Sequence, residues 1–589
     1  MKSNSGSSHR SKSAKIFLTG CLVLITAFTS VYALQNIKSI LDLQPSRKTS
    51  SAAIKNAQGE AGLATLINLN PAVNAWYLLE LDWHNGKEIE YYHLENPYPQ
   101  RQRLLLQGEY PYGLSIADGS KRTGCELWQA SSDNSLKKAK ASSITYAPLC
   151  NGRIYLRNHA KGYRTEIETV SEFLRNEFPG GEKIETFIRD KFFIEGYREK
   201  AEIESKTKPS PERESRVPSE ISPLPPRVDP RQKDRILASS HPGIDLGKSS
   251  AQGISLGVWY PARKNPGIYV SLITANTVAK DIMQSYRNLL RSPEVAEMDS
   301  LVYLIAFDLD QFELKYMLGT DHPKVKWSDH ILDRMKDRSL PGPDGIGNVF
   351  PLTLTGLINP VDASRTAAAF TGGFKRAHGA FKWGALALKN FGSHYGFMEE
   401  GVIFSKLQPG LATAYTLVDG KVEMKTWTED DNAQLPRIRY ARQNGVPIIS
   451  GFDAATKMSV PGTLVSKWGE GNWSGSENRN LRTLRAAVAI QENGGKRFLI
   501  YGVFTSATPS AMVRVFQAYQ SQYAMPLDMN ALELTYLAIY RRENSRLYVQ
   551  HLIQGMSQVD KSVNGKFIPR FLSYPDNRDY FYLLRKGSQ

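Results

Sequence analysis

The sequence predicts an α+β protein with three parts: an N-terminal transmembrane helix, a small β-rich domain, and a larger domain of strands and helices. Three observations support this division. An uncharged apolar segment lies near the N-terminus, strand-like runs fill residues 50–200, and a proline-rich segment separates them from residues 254–557. The chain has 589 residues, and its apolar fraction of 41% is sufficient for more than one core.

The N-terminal segment predicts a membrane anchor. Residues 1–15 form a basic tail, and residues 16–34 are 19 positions without a charge, enough to cross a bilayer. Flanking positive charge stays in the cytoplasm. We therefore expect a single-pass protein of a bacterial inner membrane, with most of the chain in the periplasm or outside the cell. A signal peptide cleaved after Ala33 is the alternative.

Residues 50–200 predict a small β-rich domain whose function the sequence does not indicate. The runs 75–83 and 88–92 flank an Asn-Gly pair, a pattern typical of two strands joined by a turn. Residues 153–157 predict a further strand. Thr169 and Glu172 have capping-box spacing and predict a helix from Thr169 onward.

The cysteines of this region predict a disulfide. Cys125 and Cys150 are the two cysteines outside the apolar N-terminal segment. Because an oxidising compartment allows such residues to pair, we expect them to be bonded, with two free buried thiols as the alternative.

Residues 204–235 predict an extended or disordered spacer. They contain seven prolines among mixed charges and few large apolar residues. The formal net charge of the chain, +16, raises the question of nucleic acid. The sequence has no basic run with interleaved aromatic residues, so we expect diffuse surface charge and no nucleic-acid partner.

Residues 485–536 carry the clearest pattern of the larger domain. Two apolar runs, 486–490 and 497–504, predict strands joined by a turn at residues 493–495, Asn-Gly-Gly. Thr508 and Pro509 have the residue types of a helix N-cap and a first helical position. Helical spacing then predicts that the next side chains face the core: Met512, Val515, Phe516 and Tyr519. A third strand leads into a polar loop.

Three short segments of this domain resemble signatures of the phosphodiester glycosidase family, the group containing the enzyme that uncovers mannose-6-phosphate. Residues 371–374, Thr-Gly-Gly-Phe, are similar to an Asn-Gly-Gly-Phe turn, and residues 485–489, Arg-Ala-Ala-Val-Ala, to an Arg-Thr-Ala-Ile-Gly strand. Residues 527–531, Leu-Asp-Met-Asn-Ala, are similar to a Leu-Asp-Gly-Gly-Gly loop that has lost its glycines. The resemblance implies a mixed-sheet domain over residues 254–557, with residues 558–589 as a C-terminal extension.

The resemblance also implies an activity. The family supplies a substrate class, a sugar whose anomeric carbon is bonded to a phosphodiester, and we expect an envelope hydrolase that takes part in surface polysaccharide metabolism. Such a reaction needs a carboxylate and cations that stabilise phosphate charge. We assign Asp528 the acid/base or orienting role and Glu533 the role of second carboxylate. Arg485 would hold the phosphate; buried acids paired with Arg485 in a purely structural arrangement are the alternative.

The remaining site residues are expected to bind substrate. Gly372 and Gly373 permit a turn that brings N–H groups close to a ligand. Arg376 and His378 follow that turn and suit a phosphate, whereas Asn530 would contact sugar hydroxyls. No metal site and no cofactor are expected. The expected ligand is a sugar phosphate or a polysaccharide.

A second hypothesis is that the chain has lost catalysis and binds, or helps to assemble, an envelope polysaccharide. Thr371 stands where the family has asparagine, and Met529 places a side chain where the family keeps glycine. An open pocket joining Gly373, Arg485 and Asp528 would favour the hydrolase. A space filled by Met529 and Leu532 would favour the binding protein.

Overall fold

The structure, a computed structural model, describes residues 39–55, 59–84, 86–108, 113–128, 135–177, 196–201, 221–232, 235–247, 253–336, 347–375, 379–465 and 480–587. The predicted basic tail and membrane segment, residues 1–34, lie outside these ranges. None of the helices that the ranges contain has the length and apolar character needed to cross a membrane. Strands dominate the described chain, and the helices are few and short.

The first region contains two antiparallel sheets. A six-stranded sheet has the order β1-β2-β3-β4-β9-β8, and a smaller sheet has the order β5-β6-β7. The strands are β1 (Lys48–Lys55), β2 (Ala61–Asn68), β3 (Trp76–Asp82), β4 (Glu90–Glu95), β5 (Gln102–Gln107), β6 (Gly113–Asp118), β7 (Lys121–Glu126), β8 (Tyr146–Leu149) and β9 (Ile154–Arg157). The helices are α1 (Ser135–Ala141) and α2 (Glu166–Glu177).

The local predictions for this region are confirmed except at one helix start. β3 and β4 pair antiparallel as predicted, β9 is the strand predicted at residues 153–157, and Asn85 of the predicted turn lies outside the described residues. The helix α2 begins earlier than Thr169, because the N–H of Glu168 donates to the hydroxyl of Thr165 at 3.1 Å. The side chain of an N-cap residue usually accepts a hydrogen bond from the N–H two or three residues later, and Thr165 does so.

Cys125 and Cys150 form the predicted disulfide, with their Cα atoms 5.4 Å apart. Cys125 lies on β7 of the small sheet, and Cys150 directly follows β8 of the large sheet. The bond therefore joins the two sheets of the first region. Closing a loop of 25 residues contributes about 3 kcal/mol in the chain-entropy account of disulfides.

Residues 221–232, the described part of the predicted spacer, are extended but packed. The N–H of Leu224 donates to Gln491 Oε1 at 2.7 Å, and the N–H of Arg227 donates to the carbonyl of Ala518 at 2.9 Å. Trp259 Nε1 donates to the carbonyl of Leu224 at 2.9 Å. The predicted extended conformation is found in these residues, and they are packed as well, because a proline-rich segment can dock on a core that other elements build.

The larger domain consists mainly of three antiparallel sheets. Their orders are β12-β13-β14-β25-β24-β26-β22-β23, β15-β31-β16-β27-β28 and β18-β17-β21-β19-β20. The strands are β10 (Ile236–Leu237), β11 (Ile254–Ser255), β12 (Tyr260–Pro261), β13 (Ile268–Thr274), β14 (Leu301–Asp308), β15 (Phe312–Met317), β16 (Thr366–Thr371), β17 (Phe397–Glu399), β18 (Val402–Ser405), β19 (Ala412–Leu417), β20 (Val422–Thr426), β21 (Ile438–Gln443), β22 (Ile449–Asp453), β23 (Met458–Pro461), β24 (Thr483–Asn493), β25 (Lys496–Ala507), β26 (Tyr523–Met529), β27 (Leu537–Glu543), β28 (Arg546–His551), β29 (Lys561–Val563), β30 (Lys566–Ile568) and β31 (Tyr580–Arg585).

The helices of this domain lie between the strands. They are α3 (Lys280–Gln284), α4 (Val295–Met298), α5 (Pro360–Ala363), α6 (Gly384–Lys389) and α7 (Pro509–Ala518). Short 3₁₀ helices, among them Leu532–Leu534, complete the connections.

The hairpin and helix predicted in residues 485–536 are confirmed. β24 and β25 pair up to Asn493 and Lys496, and the two residues between them, Gly494 and Gly495, have φ angles of 56° and 81°. Such angles favour glycine at both turn positions. Thr508 caps α7 by accepting from the N–H of Ala511, and the predicted core-facing residues of α7 are buried. β26 then returns beside β24.

Two expectations from the resemblance are wrong within the described residues. Every paired set of strands in the sheets is antiparallel, so the domain does not contain a mixed sheet. The C-terminal residues are not an added extension either, because β31 lies between β15 and β16 in the middle of a sheet. The helix α7 crosses from β25 to β26 over β24, which lies between them and is antiparallel to both, so β25 and β26 run in the same direction.

The central sheet is covered on both faces. Leu484, Ala486 and Val488 of β24 point into a large core that also takes residues from the two five-stranded sheets, whereas Ala487 and Ala489 face α7. The first region packs on the same large core. Gln44, for example, exchanges two hydrogen bonds with the backbone of Ile403, at 2.7 and 2.9 Å.

Candidate active site

The fold brings the three family-like segments to one place. β24 and β26 pair so that Arg485 lies opposite Met529. The turn at residues 371–374 follows β16, and Asn444 links it to β26. The N–H of Phe374 donates to Asn444 Oδ1 at 3.0 Å, while Asn444 Nδ2 donates to the carbonyl of Pro526 at 2.8 Å. Asn444, which follows β21, is a positioning residue that the sequence did not single out.

The two glycines of the turn are explained by close packing. A Cβ atom on Gly372 would lie 2.2 Å from Asp579 Oδ2, and a Cβ atom on Gly373 would lie 2.5 Å from Asn444 Oδ1. The N–H of Gly372 donates to the carbonyl of Asp579 at 2.9 Å. Any side chain at either position would displace these buried polar groups. Contact of the glycines with a substrate remains a prediction.

Asp528 lies at the end of β26 in a buried cluster of charged groups. Its Oδ2 accepts from Arg578 Nη1 at 2.8 Å, and its Oδ1 accepts from the N–H of Met529 at 2.9 Å. Arg578 also donates through Nε to Glu168 of α2. Each of these three residues is less than 10% exposed, with 7% for Asp528.

The two carboxyl groups that contact Arg578 have different pKa values. Burial raises the pKa of Asp528 to about 6, against the opposing charge of Arg578. Burial acts in the same direction on Glu168, but the charges of Arg578, Arg570 and Lys375 outweigh it and lower the pKa of Glu168 to about 2. Glu168 therefore carries the negative charge at neutral pH, and Asp528 is the carboxyl that can hold a proton.

Lys375 adds a second cation beside this pair. It follows the Gly-Gly turn and forms an ion pair with Glu172 of α2. Burial, together with the nearby charge of Arg578, lowers the pKa of Lys375 to about 7. The helix α2 thus lies over the cluster and places Glu168 against Arg578 and Glu172 against Lys375.

Glu533 belongs to the electrostatic surroundings of the same cluster. It is buried in the 3₁₀ helix after β26, and burial raises the pKa of its carboxyl while Arg570 and Arg578 act to lower it. A residue that activates water must be deprotonated, so this shift acts against the role of base. The role of second carboxylate remains a prediction.

The partners of Arg485 among the described residues include two backbone carbonyls and a thioether. Its guanidinium donates to the carbonyls of Ala507 and Leu481, each at 2.9 Å, and its Nη1 lies 3.0 Å from Met529 Sδ. Met529 is 2% exposed and packs with Phe374 and Leu481. The side chain of Met529 therefore fills the space between the Gly-Gly turn and Arg485. Leu532 packs instead at the edge of the large core.

The structure describes only one of the loop residues Asn530, Arg376 and His378, which were predicted to bind substrate. Asn530 has φ of 85°, in the left-handed region where the family has glycine, and its Oδ1 accepts from the Thr483 hydroxyl at 3.1 Å. Arg376 and His378 lie outside the described residues. Arg578 was missed, although the charged run 576–579 interrupts an otherwise aromatic stretch and was the available signal.

Comparisons with known proteins add little. No family model matches the chain, and no curated protein matches it. Among solved structures, the chain is similar to the catalytic domain of zebrafish N-acetylglucosamine-1-phosphodiester alpha-N-acetylglucosaminidase, auto-inhibited by its pro-peptide. The identity is 9% and the TM-score 0.28, over 55% of this chain and 85% of that chain.

A hypothetical protein from Synechocystis is also similar, at 10% identity and a TM-score of 0.22, over 49% of this chain and 59% of that chain. TM-scores this low carry no argument about activity, so the functional conclusion depends on the residues of the cluster.

Proposed function

We propose that the chain hydrolyses the bond between a sugar's anomeric carbon and a phosphodiester oxygen, with Asp528 as the general acid. The observation that carries this proposal is a buried carboxyl with a pKa of about 6. It accepts a hydrogen bond from Arg578 and interacts electrostatically with Lys375. A general acid works best when its pKa lies near the working pH. The carboxyl can protonate the departing phosphate oxygen, and the two cations can stabilise the charge of the phosphate.

In the proposed reaction, the bond between the anomeric carbon and the phosphate oxygen breaks, and a water oxygen bonds to the carbon. Asp528 donates its proton to the departing oxygen, and the proton lost by water restores the acid. Arg578 and Lys375 would hold the phosphate oxygens in place of Glu168 and Glu172, which they contact in the structure. Charge on phosphate is well matched by an arginine and a lysine in a site with little water.

The test measures release of free sugar by the purified full chain. Substrates are sugar-1-phosphodiesters, including UDP-N-acetylglucosamine, and the variant Asp528→Asn is tested beside the wild type. We expect turnover in the wild type and a loss of at least about 100-fold in the variant, the lower range for a general acid. Equal turnover in the two proteins would exclude Asp528 as the acid.

A second candidate function is binding of an envelope polysaccharide without catalysis. Met529 favours it, because its buried side chain occupies the space between the Gly-Gly turn and Arg485. This candidate predicts no turnover by folded wild type across the substrate panel. It also predicts saturable binding of a sugar phosphate, which isothermal titration calorimetry would measure.

We propose that the domains lie outside the cytoplasm of a bacterial cell and are held to the inner membrane by residues 16–34. The disulfide between Cys125 and Cys150 supports an oxidising location. Fusion of alkaline phosphatase to the C-terminus should give an active reporter, because this enzyme needs its own disulfides. An inactive phosphatase fusion alongside a fluorescent cytoplasmic reporter fusion would refute the proposed orientation.

A further inference from the structure

A second cluster lies at the outer edge of the charged groups around Asp528. Glu172 of α2 meets Asp321 and His322, which belong to the loop after β15. The three possible ligand atoms, two carboxylate oxygens and an imidazole nitrogen, all lie within 4.8 Å of one another. Asp321 and His322 are neighbours in the sequence, whereas Glu172 is far from both, and the packing of α2 on the larger domain brings it to them.

The imidazole of His322 provides an independent observation. His322 is 3% exposed, and within the described part of the chain its Nε2 has no hydrogen-bond partner. This atom faces Asp321 Oδ2 at 4.0 Å, beyond hydrogen-bond distance. A buried nitrogen without a partner costs free energy, because it has lost its hydrogen bonds to water. An electron-pair acceptor between the two side chains would remove that cost.

The backbone holds the loop in a fixed position. The N–H of Asp321 donates to the carbonyl of Asn577 at 3.1 Å, and the N–H of Thr320 donates to the carbonyl of Asp576 at 3.0 Å. Gly319 donates to the carbonyl of His322 at 3.0 Å and closes the turn. Two of the three ligand groups are therefore preorganised, and Glu172 is presented by a helix.

We propose that Glu172, Asp321 and His322 form a binding site for a divalent transition-metal ion. Three atoms within 4.8 Å of one another have a common centre at most about 2.8 Å from each, so closing by about 0.7 Å reaches normal Zn–N and Zn–O bond lengths. One imidazole with two carboxylates suits Zn²⁺ or Mn²⁺, whereas sites for Ca²⁺ and Mg²⁺ use oxygen ligands.

In the structure, Arg164 lies where the proposed ion would bind. Its two terminal nitrogens contact Glu172 Oε2 and Asp321 Oδ2, so its guanidinium bridges the two carboxylates as a metal ion would. Lys324 Nζ lies 3.4 Å from Asp321 Oδ1, and Lys375 is paired with Glu172. The Arg164 side chain is 35% exposed and can move into solvent. Arg164 is thus a competitor of the ion.

The two kinds of variant should change metal affinity in opposite directions. Removing a ligand, in His322→Ala or Glu172→Gln, is expected to weaken binding by at least about tenfold. Removing the competing charge, in Arg164→Met, is expected to strengthen binding by about tenfold, because a unit charge at this distance contributes on the order of 1 kcal/mol or more. A purely structural role of Arg164 would not produce the second effect.

The experiment titrates the chelator-treated full chain with Mn²⁺, followed by electron paramagnetic resonance, and with Zn²⁺, followed by calorimetry. We expect about one ion bound per chain, with Ca²⁺ and Mg²⁺ much weaker. His159→Ala, which removes an exposed histidine, is the matched control and should bind as the wild type does. Circular dichroism checks that each variant is folded. If His322→Ala does not fold, Glu172→Gln still tests the loss of a ligand, because it leaves the side-chain volume almost unchanged.

No saturable binding by the wild type, or equal binding by His322→Ala and Glu172→Gln, would overturn the proposal. The result is independent of the hydrolase proposal, because no substrate is present. Asp528→Asn should retain the ion even where it loses turnover.

Discussion

The kcat/KM for a sugar-1-phosphodiester is expected to fall about tenfold for each pH unit above about pH 6. A general acid acts in its protonated form, and the pKa of Asp528 in the free protein is raised by burial to about 6. The protonated fraction is nearly complete well below this pH and decreases tenfold per unit above it. Between pH 6 and pH 8 the decrease due to Asp528 alone is therefore on the order of 100-fold.

The direction of this profile decides the role of Asp528. If Asp528 acted as a base, kcat/KM would instead rise through pH 6 and level off. Lys375, with a pKa of about 7, also loses charge as the pH rises, so a second decrease is expected above pH 7. In Lys375→Arg that second decrease should disappear while the first remains. A flat profile from pH 5 to pH 8 would refute the assignment of Asp528 as the acid.

Asp576→Asn is expected to lower the free energy of unfolding by about 3 to 5 kcal/mol, the usual cost of breaking a buried ion pair. Arg570 and Asp576 are both fully buried, and Asp576 accepts two hydrogen bonds from Arg570, at 2.7 and 3.2 Å. Without Asp576, the guanidinium would remain out of water and would lose the carboxylate to which it donates two hydrogen bonds. Urea unfolding followed by tryptophan fluorescence measures the loss.

Asp118→Asn is the matched control for that measurement. Asp118 also pairs with an arginine, Arg101, at 2.8 Å, but the Arg101 side chain is 69% exposed. Water can replace the lost partner of an exposed guanidinium, so the unfolding midpoint of Asp118→Asn should stay at the wild-type value. Equal midpoints for Asp576→Asn and Asp118→Asn would show that burial does not control the cost.

Local patterns in the sequence were sufficient to predict several turns and helix starts. The Asn-Gly-Gly turn fixed the hairpin of β24 and β25, because residues that adopt positive φ are few. Thr508 and Pro509 marked the start of α7, since capping depends on residues close in the chain. Thr169 was assigned as a cap incorrectly, because several hydroxyl residues lie near that helix start and only the folded backbone selects Thr165.

Local sequence patterns did not predict which distant strands pair with each other. The place of β31 between β15 and β16 joins residues more than two hundred positions apart, and nothing local in residues 558–589 specifies it. The antiparallel arrangement of the central sheet has the same origin. A strand's own residues favour burial, whereas its direction beside a neighbour is set by the path of the whole chain.

The sequence by itself singled out Asp528, the Gly-Gly turn and Arg485 as candidates through their resemblance to family segments, and it predicted the cysteine pair because an oxidising compartment allows such residues to bond. The tertiary structure alone decided which charges surround Asp528. Arg578 reaches it from 50 positions away and Glu168 from several hundred, and α2 places Glu172 beside Asp321 and His322. Electrostatic interactions depend on distance in space, so neither the shifted pKa of Asp528 nor the proposed metal site could be obtained from the order of residues.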